Sequence, residues 1–343
     1  MTILKVDTVS GIGTEGTVFE GDITFDSLNY MTLPKGTTTQ SNRGRGIFGG
    51  GHDGSNALNA IQYILIQSSG NAIEFGDLTS TRWLTVAVSS STRGLFMGGG
   101  APTRVNTIDY ITIATTGNAT DFGDLNNAVA YAAGCASQTR GIHAGGNTGP
   151  AGEVDVIEYV TIASAGNATD FGNLLSAQSE ISGCSSPTRG IIMGGNAGAP
   201  NNVRQNVIQY ITIATTGNAT DFGDLTRVAA HGAACSSNTR GIYAGGYGAA
   251  SPTNTYSNII EFITIATTGN ATDFGDLITA RVSWDGTSNN SRGILGGGYT
   301  PSNVNTIEYI TIANTGNATD FGDLLQGQRS SEATSDSHGG LSE

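Results

Sequence analysis

The stretch that decides the fold is Val207-Ile-Gln-Tyr-Ile-Thr-Ile-Ala-Thr-Thr-Gly-Asn-Ala-Thr-Asp-Phe-Gly-Asp-Leu225. Its first part, Val207 to Ala214, is rich in β-branched and aromatic residues, which suit a pleated, packed surface. Thr216 to Asn218 reads as a hairpin turn, because Gly and Asn tolerate positive φ. Ala219 to Leu225 is the next candidate strand. Two more segments follow, Arg227 to Ser236 and Arg240 to Gly246. In order the four are strands c and d of one unit, then a and b of the next. No segment holds a 3.6-residue apolar period, so almost no helix is expected.

The phrase recurs along the chain. Its central glycine falls at Gly70, Gly117, Gly166, Gly217, Gly269 and Gly316, spaced 47, 49, 51, 52 and 47 residues apart. A second phrase, Thr-Arg-Gly or Ser-Arg-Gly followed by apolar residues and Gly-Gly, places Arg93, Arg140, Arg189, Arg240 and Arg292 at one point of each unit. The first copy is irregular, with Arg43 and Arg45. Four strands in a unit of about 50 residues is the pattern of a propeller blade. The chain ends bear on closure. The first unit starts at strand b and has no clear strand a before it, while Gln326 to Ser337 follow the last strand d with the length of a strand a. The count balances only if that stretch joins the first blade. A closed ring explains the offset, whereas an open solenoid gives no reason for it and would need polar caps. The expectation is an all-β, six-bladed propeller over residues 41–343, closed by its C-terminal strand.

Composition agrees. Glycine is 51 of 343 residues, charged residues are 13% and hydrophobic ones 37%, as expected of many short strands and turns built with small side chains. No run of 18 apolar residues exists, so no membrane insertion is expected. The first residues show no basic segment leading into an apolar run, so no secretory leader is expected. A net charge of −13 repels phosphate backbones and anionic membranes, so nucleic acid is not an expected partner. Both lysines, Lys5 and Lys35, precede residue 40, which separates a short N-terminal segment from the rest. Residues 1–40 are too few for a core of their own and read as an extended attachment arm.

Two resemblances follow from these residues. The Gly-Gly ending strand b, the aromatic in c (Tyr63, Tyr110, Tyr159, Tyr210, Phe262, Tyr309) and the aromatic in d (Phe75, Phe122, Phe171, Phe222, Phe274, Phe321) resemble the kelch-repeat pattern, with Phe where that pattern has Trp. The run Leu4-Lys5-Val6-Asp7-Thr8-Val9-Ser10-Gly11-Ile12-Gly13-Thr14-Glu15-Gly16, with Thr32-Leu33-Pro34-Lys35-Gly36-Thr37-Thr38, resembles the head of virion structural proteins of tailed marine bacteriophages. Those of cyanobacterial phages also carry Thr-Arg-Gly and Gly-Asn-Ala-Thr-Asp-Phe-Gly-Asp repeats. The resemblance implies a structural or fibre-like virion component with the N-terminal segment as its attachment point; the expectation is a non-enzymatic tail or capsid fibre component located in the virion, oligomeric there and joined to other virion proteins through the N-terminal arm. The alternatives are a decoration protein without a receptor and a propeller enzyme acting on surface polysaccharide.

Candidate sites are few. Cys135, Cys184 and Cys235 are spaced by the repeat and have no CxxC pairing. They read as small buried side chains in strand a rather than a metal site or disulfides. The repeated arginines are expected to pair with carboxylates such as Asp121, Asp124, Asp221 or Asp224 and tie blade to blade, the alternative being an anion site in a central channel. Asn118, Asn167, Asn218, Asn270 and Asn317 stand in glycosylation sequons and read as turn residues. Asp-Phe-Gly has no kinase context, and Asp121 with Asp124 lacks the alternating ligands of a calcium loop. The histidines are unclustered, and nothing supplies the ligands of a copper oxidase, so no cofactor and no metal are expected. Binding is assigned to the b–c loops, which vary most in length and hold Asn201, Asn202, Arg204, Tyr247, Tyr256 and Tyr299. Aromatic faces beside amide donors suit a host-surface glycan.

Overall fold

The computed structural model describes residues 44–341 apart from positions 101, 151, 199–202 and 249–254. The N-terminal unit, residues 1–41, and with it the expected arm, lies outside the described residues. Every regular element among the described residues is a strand.

Six antiparallel four-stranded sheets recur, each in the order a-b-c-d. One runs Ala233–Ser236, Arg240–Ala244, Ile259–Thr264 and Thr272–Asp276. The a strands of the other sheets are Val86–Ser89, Ala133–Ala136, Ser182–Ser185, Asp285–Ser288 and Glu332–Ser335. The last of these pairs antiparallel with Arg45–Gly49, Ile47 opposite Thr334, so the offset read from the chain ends is met by strand pairing. A seventh, three-stranded sheet joins Gln178–Ser179, Asn196–Ala197 and Val203–Arg204. Elsewhere its place is taken by single bridges such as Ala230 to Tyr247 and Tyr247 to Tyr256. The expected strand a from Arg227 is shorter in fact, because His231 has φ 56° and breaks the extended run.

Among the described residues the buried apolar side chains form six clusters. Apolar clusters lie between successive sheets, as where Val88, Leu95 and Ile108 meet Val160 and Ile162. Phe48 and Ile64 meet Ile294, Ile307 and Phe321 in the same way, joining the first sheet to the one before the C-terminal strand.

The repeated words of the sequence are the ties between these sheets. Each turn glycine donates its N–H to the strand-d phenylalanine carbonyl of the preceding sheet: Gly117 to Phe75, Gly166 to Phe122, Gly217 to Phe171, Gly269 to Phe222, Gly316 to Phe274 and, last to first, Gly70 to Phe321, all at 2.8 Å. The following asparagine accepts from the same neighbour, Asn167 Oδ1 from the Asp124 N–H at 3.1 Å and Asn71 Oδ1 from the Asp323 N–H at 3.1 Å. The glycine of Asp-Phe-Gly-Asp is required by this approach, since a Cβ on Gly123 would sit 2.5 Å from the Gly166 carbonyl oxygen.

The repeated arginine tie differs in its partner. Arg240 Nη1 donates to the Ile312 and Ala313 carbonyls at 3.0 and 2.8 Å, and Arg93, Arg140, Arg189 and Arg292 reach the Ile162, Ile213, Ile265 and Ile66 carbonyls of their next sheets. Arg45 fills the place in the first sheet, to Ile113. Among the described residues none bonds Asp121, Asp124, Asp221 or Asp224; the guanidinium meets main-chain carbonyls just past the end of strand c instead. Each guanidinium also lies over the strand-c ring, Arg240 at 4.6 Å from Phe262, and that ring meets the strand-d Phe edge-on. Arg240→Ala is therefore expected to cost about 1.5–3 kcal/mol, the range for hydrogen bonds from a charged group. Urea titration checks this, and an unchanged midpoint would refute the tie.

Strand c carries one more tie, buried and variable. Its residue 62, 109, 158, 209, 261 or 308 accepts from a backbone N–H of the d–a loop, as in Ile278 N–H to Glu308 at 2.9 Å and Leu325 N–H to Gln62 at 2.8 Å. Its partner changes by unit. Arg82 pairs Asp109 and Arg281 pairs Glu308, whereas Gln178 meets Gln209 at 2.7 Å and Gln328 meets Gln62 at 3.2 Å.

Candidate functional site

Where each a strand begins, one non-glycine residue adopts the left-handed conformation: Leu84, Tyr131, Glu180, His231, Ser283 and Ser330, with φ between 54° and 64°. Such a backbone costs about 1–2 kcal/mol per residue. The return is a hydrogen bond from each N–H to the carbonyl of the preceding member, Tyr131 to Leu84, Glu180 to Tyr131, His231 to Glu180, Ser283 to His231, Ser330 to Ser283 and Leu84 to Ser330, at 2.7 to 3.4 Å. Backbone at this register is constant while the side chains differ in every unit but two.

Three of those side chains, Tyr131, Glu180 and His231, meet residues of the b–c loops. Tyr247, Tyr256 and Tyr299 form a continuous run, with ring centroids 5.9 and 6.1 Å apart. Arg204 lies 4.3 Å over the Tyr247 ring. Four of the six residues expected from the loops are thus brought together, while Asn201 and Asn202 lie outside the described residues. The run continues through residues not foreseen. His231 stands edge-on to both Tyr247 and Tyr131, at 5.8 and 5.6 Å, and its Nε2 is 3.1 Å from Glu180 Oε2. Arg329 lies 5.1 Å over Tyr299, and Arg104 lies 6.0 Å over Tyr131 and donates to Asn147 Oδ1 at 2.7 Å. Burial works to raise the Glu180 carboxyl, but the His231 ring and its hydrogen bond, with the Arg204 charge, outweigh it and hold Glu180 below its ordinary value. Burial pushes the Tyr131 and Tyr247 phenols up, so both keep their protons. The position where Leu, Tyr, Glu, His, Ser and Ser alternate through otherwise matching units was the available signal for Tyr131, Glu180 and His231.

Below lies a cavity of about 70 Å3, lined by Tyr131, Glu180, His231, Trp284, Asp285 and Glu332 among others. Burial pushes Asp285 up to about 7 against the pull of the Ala333 and Gly286 N–H groups. Burial and the Asp285 charge push Glu332 well above its ordinary value, and the two carboxyls hydrogen-bond each other. Both titrate higher folded than unfolded. Their contribution to stability is therefore complete below about pH 4 and is lost as pH rises toward 7. Asp285→Asn is expected to raise the urea midpoint at pH 8 and to change it little at pH 4. Equal shifts at the two pH values would contradict this assignment.

The opposite ends of the a strands are closed by serines. Ser89, Ser335, Ser288, Ser236 and Ser185 each donate a hydroxyl to the carbonyl of the preceding strand's equivalent, at 2.5 to 2.8 Å. Ala136 has no hydroxyl, and the Ser89 carbonyl it would have served accepts instead from His338 Nε2 at 2.9 Å. Gly339 N–H reaches the Ser236 carbonyl at 3.1 Å, and a Cβ on Gly340 would sit 1.9 Å from the Ala136 oxygen, so residues 338–340 lie across these strand ends. One residue inward stand the cysteines, buried and free. Burial pushes the Cys184 thiol up to about 12 and raises Cys135 and Cys235 likewise. Their sulfurs fill the space left by the Arg-Gly glycine of the next sheet, where a Cβ on Gly190 would lie 2.3 Å from Cys135 Sγ. Val88, Thr287 and Thr334 do the same against Gly141, Gly46 and Gly94, which makes the cysteines packing groups.

No protein-family model matches the chain. No curated protein matches it either.

Proposed function

We propose that the six sheets are the blades of one closed, kelch-like β-propeller, and that the protein is a non-enzymatic structural component of a tailed-phage virion whose tyrosine-rich face contacts glycan on the host surface. Closure is supported by ties of several kinds that each recur from sheet to sheet, one of every kind joining the last sheet to the first. The virion assignment is supported by the sequence resemblance of residues 4–16 and of the repeats. Residues 1–40 serve as the attachment arm to other virion proteins and to further copies of the chain.

The observation that carries the binding role is the run Tyr247, Tyr256 and Tyr299 with its stacked arginines. Half-buried rings packed one against the next, tilted and edge to face, present apolar surface at low entropic cost, with hydroxyls beside them for sugar oxygens. The test is a glycan array probed with the full chain. Retention that falls at least 10-fold in a Tyr256→Ala, Tyr299→Ala double variant supports the reading. A folded protein that retains no glycan would leave a decoration protein without a receptor.

A further inference from the structure

The arginines of this chain sort by what they do. Six form the repeated tie to the next sheet, at positions 45, 93, 140, 189, 240 and 292. Arg82, Arg227 and Arg281 pair buried carboxylates inside the sheet stack. The remaining three among the described residues, Arg104, Arg204 and Arg329, all lie on the tyrosine face; Arg104 and Arg204 share one register, opposite Gly100 and Asn196, and Arg329 has no arginine at its register in the other units. In a chain of net charge −13, the described arginines outside the repeated ties and the buried pairs are gathered at one place.

Arg329 is the telling member. It directly precedes left-handed Ser330, where the other units carry Trp83, Ala130, Ser179, Ala230 and Val282. Its guanidinium rests on the Tyr299 ring, and among the described residues it has no hydrogen-bond or ion-pair partner. Its charge acts on both the Tyr131 and the Tyr247 hydroxyls. The nearby carboxylate, Glu180, is already paired with His231 and with the Asn196 amide. A guanidinium held over a ring face without a partner of its own keeps its donors for a planar carboxylate, which it can take with two parallel bonds and little further loss of freedom. A neutral sugar would leave that fork unanswered.

We infer that the ligand of this face is an acidic glycan, bound by its sugar rings on Tyr247, Tyr256 and Tyr299 and by a uronic-acid carboxylate on Arg329, with Arg104 beside it. This rests on the glycan-binding reading above and specifies its ligand class. Binding is then salt-dependent, because an exposed ion pair is screened within about 8–10 Å at physiological ionic strength.

The probes are oligogalacturonate and its fully methyl-esterified form, which has the same rings without the charge. Titration calorimetry of the full chain is expected to show the acid bound at least about 10-fold tighter than the ester at about 50 mM salt, the gap narrowing at about 500 mM. Arg329→Gln is expected to abolish the preference with an unchanged unfolding midpoint, and Arg104→Gln to reduce it. Tyr256→Ala is expected to weaken both probes equally. Equal binding of acid and ester, a preference that survives Arg329→Gln, or retention of neutral glycans alone would overturn the inference and leave the glycan reading intact. Retention of no glycan of any kind would overturn both.

Discussion

Arg281→Ala is expected to destabilise the protein by about 3–5 kcal/mol, the cost of leaving a buried charge without its partner. Arg281 and Glu308 are 1% and 0% exposed, and their side chains are in direct contact. Burial lowers the Arg281 guanidinium to about 10, which leaves it charged at neutral pH. The same side chain donates to the Gly297 and Thr306 carbonyls, each at 3.0 Å, so truncation also strips two backbone acceptors. The Gln328–Gln62 and Gln178–Gln209 ties show that the position works without charge. Arg281→Gln with Glu308→Gln is accordingly expected to recover most of the loss. Urea denaturation of the two variants checks both statements, and a single variant within about 0.5 kcal/mol of the parent, the ordinary range of a surface change, would refute the first.

Ending the chain after Ser331 is expected to abolish cooperative folding. The deletion removes the strand Glu332–Ser335 and exposes the edge of Arg45–Gly49. It removes the Ser335 hydroxyl from the Ser288 carbonyl, 2.5 Å, and Ala333 from the cluster around Phe48 and Ile294. It also removes Asp336, whose carboxylate accepts from the Gly44 and Arg45 N–H groups at 2.6 and 3.2 Å. Ser90, Ser137, Ser186, Ser237 and Asn289 cap the equivalent arginine N–H groups within their own turns. Asp336 performs that duty across 291 residues of chain. An unpaired strand edge is a template for other chains, so the truncated protein is expected to self-associate as well. Circular dichroism melts and gel filtration read the outcome. A monomer with the parent melting temperature would contradict it.

The strands were legible because their pattern is local. Val207–Thr212 and Thr220–Asp224 fall within the segments read from β-branched content and the Gly-Asn turn. The extra C-terminal strand followed from counting. The inter-sheet ties were not legible in detail, because each joins residues of two different repeats, and an arginine beside many aspartates gives no hint that it will choose carbonyls. Residue identity also misled at strand a, where Leu84, Tyr131 and His231 are ordinary strand or loop residues whose left-handed backbone arises from the ring of hydrogen bonds they complete. At the candidate site, Tyr247, Tyr256, Tyr299 and Arg204 were visible as loop residues of variable length. Glu180, His231 and Arg329 were hidden because they sit next to constant strand positions and acquire meaning only when several units converge.

The central claim is that the first and last strands belong to one sheet of one molecule. Ile47→Cys with Thr334→Cys, in a background with Cys135, Cys184 and Cys235 replaced by valine, places two thiols on directly opposed residues. Mild oxidation of the folded monomer is expected to form an intramolecular disulfide in nearly every molecule, seen as faster migration on a non-reducing gel, and to raise the denaturation midpoint. A folded monomer whose two thiols stay free, or join only between molecules, would contradict the account.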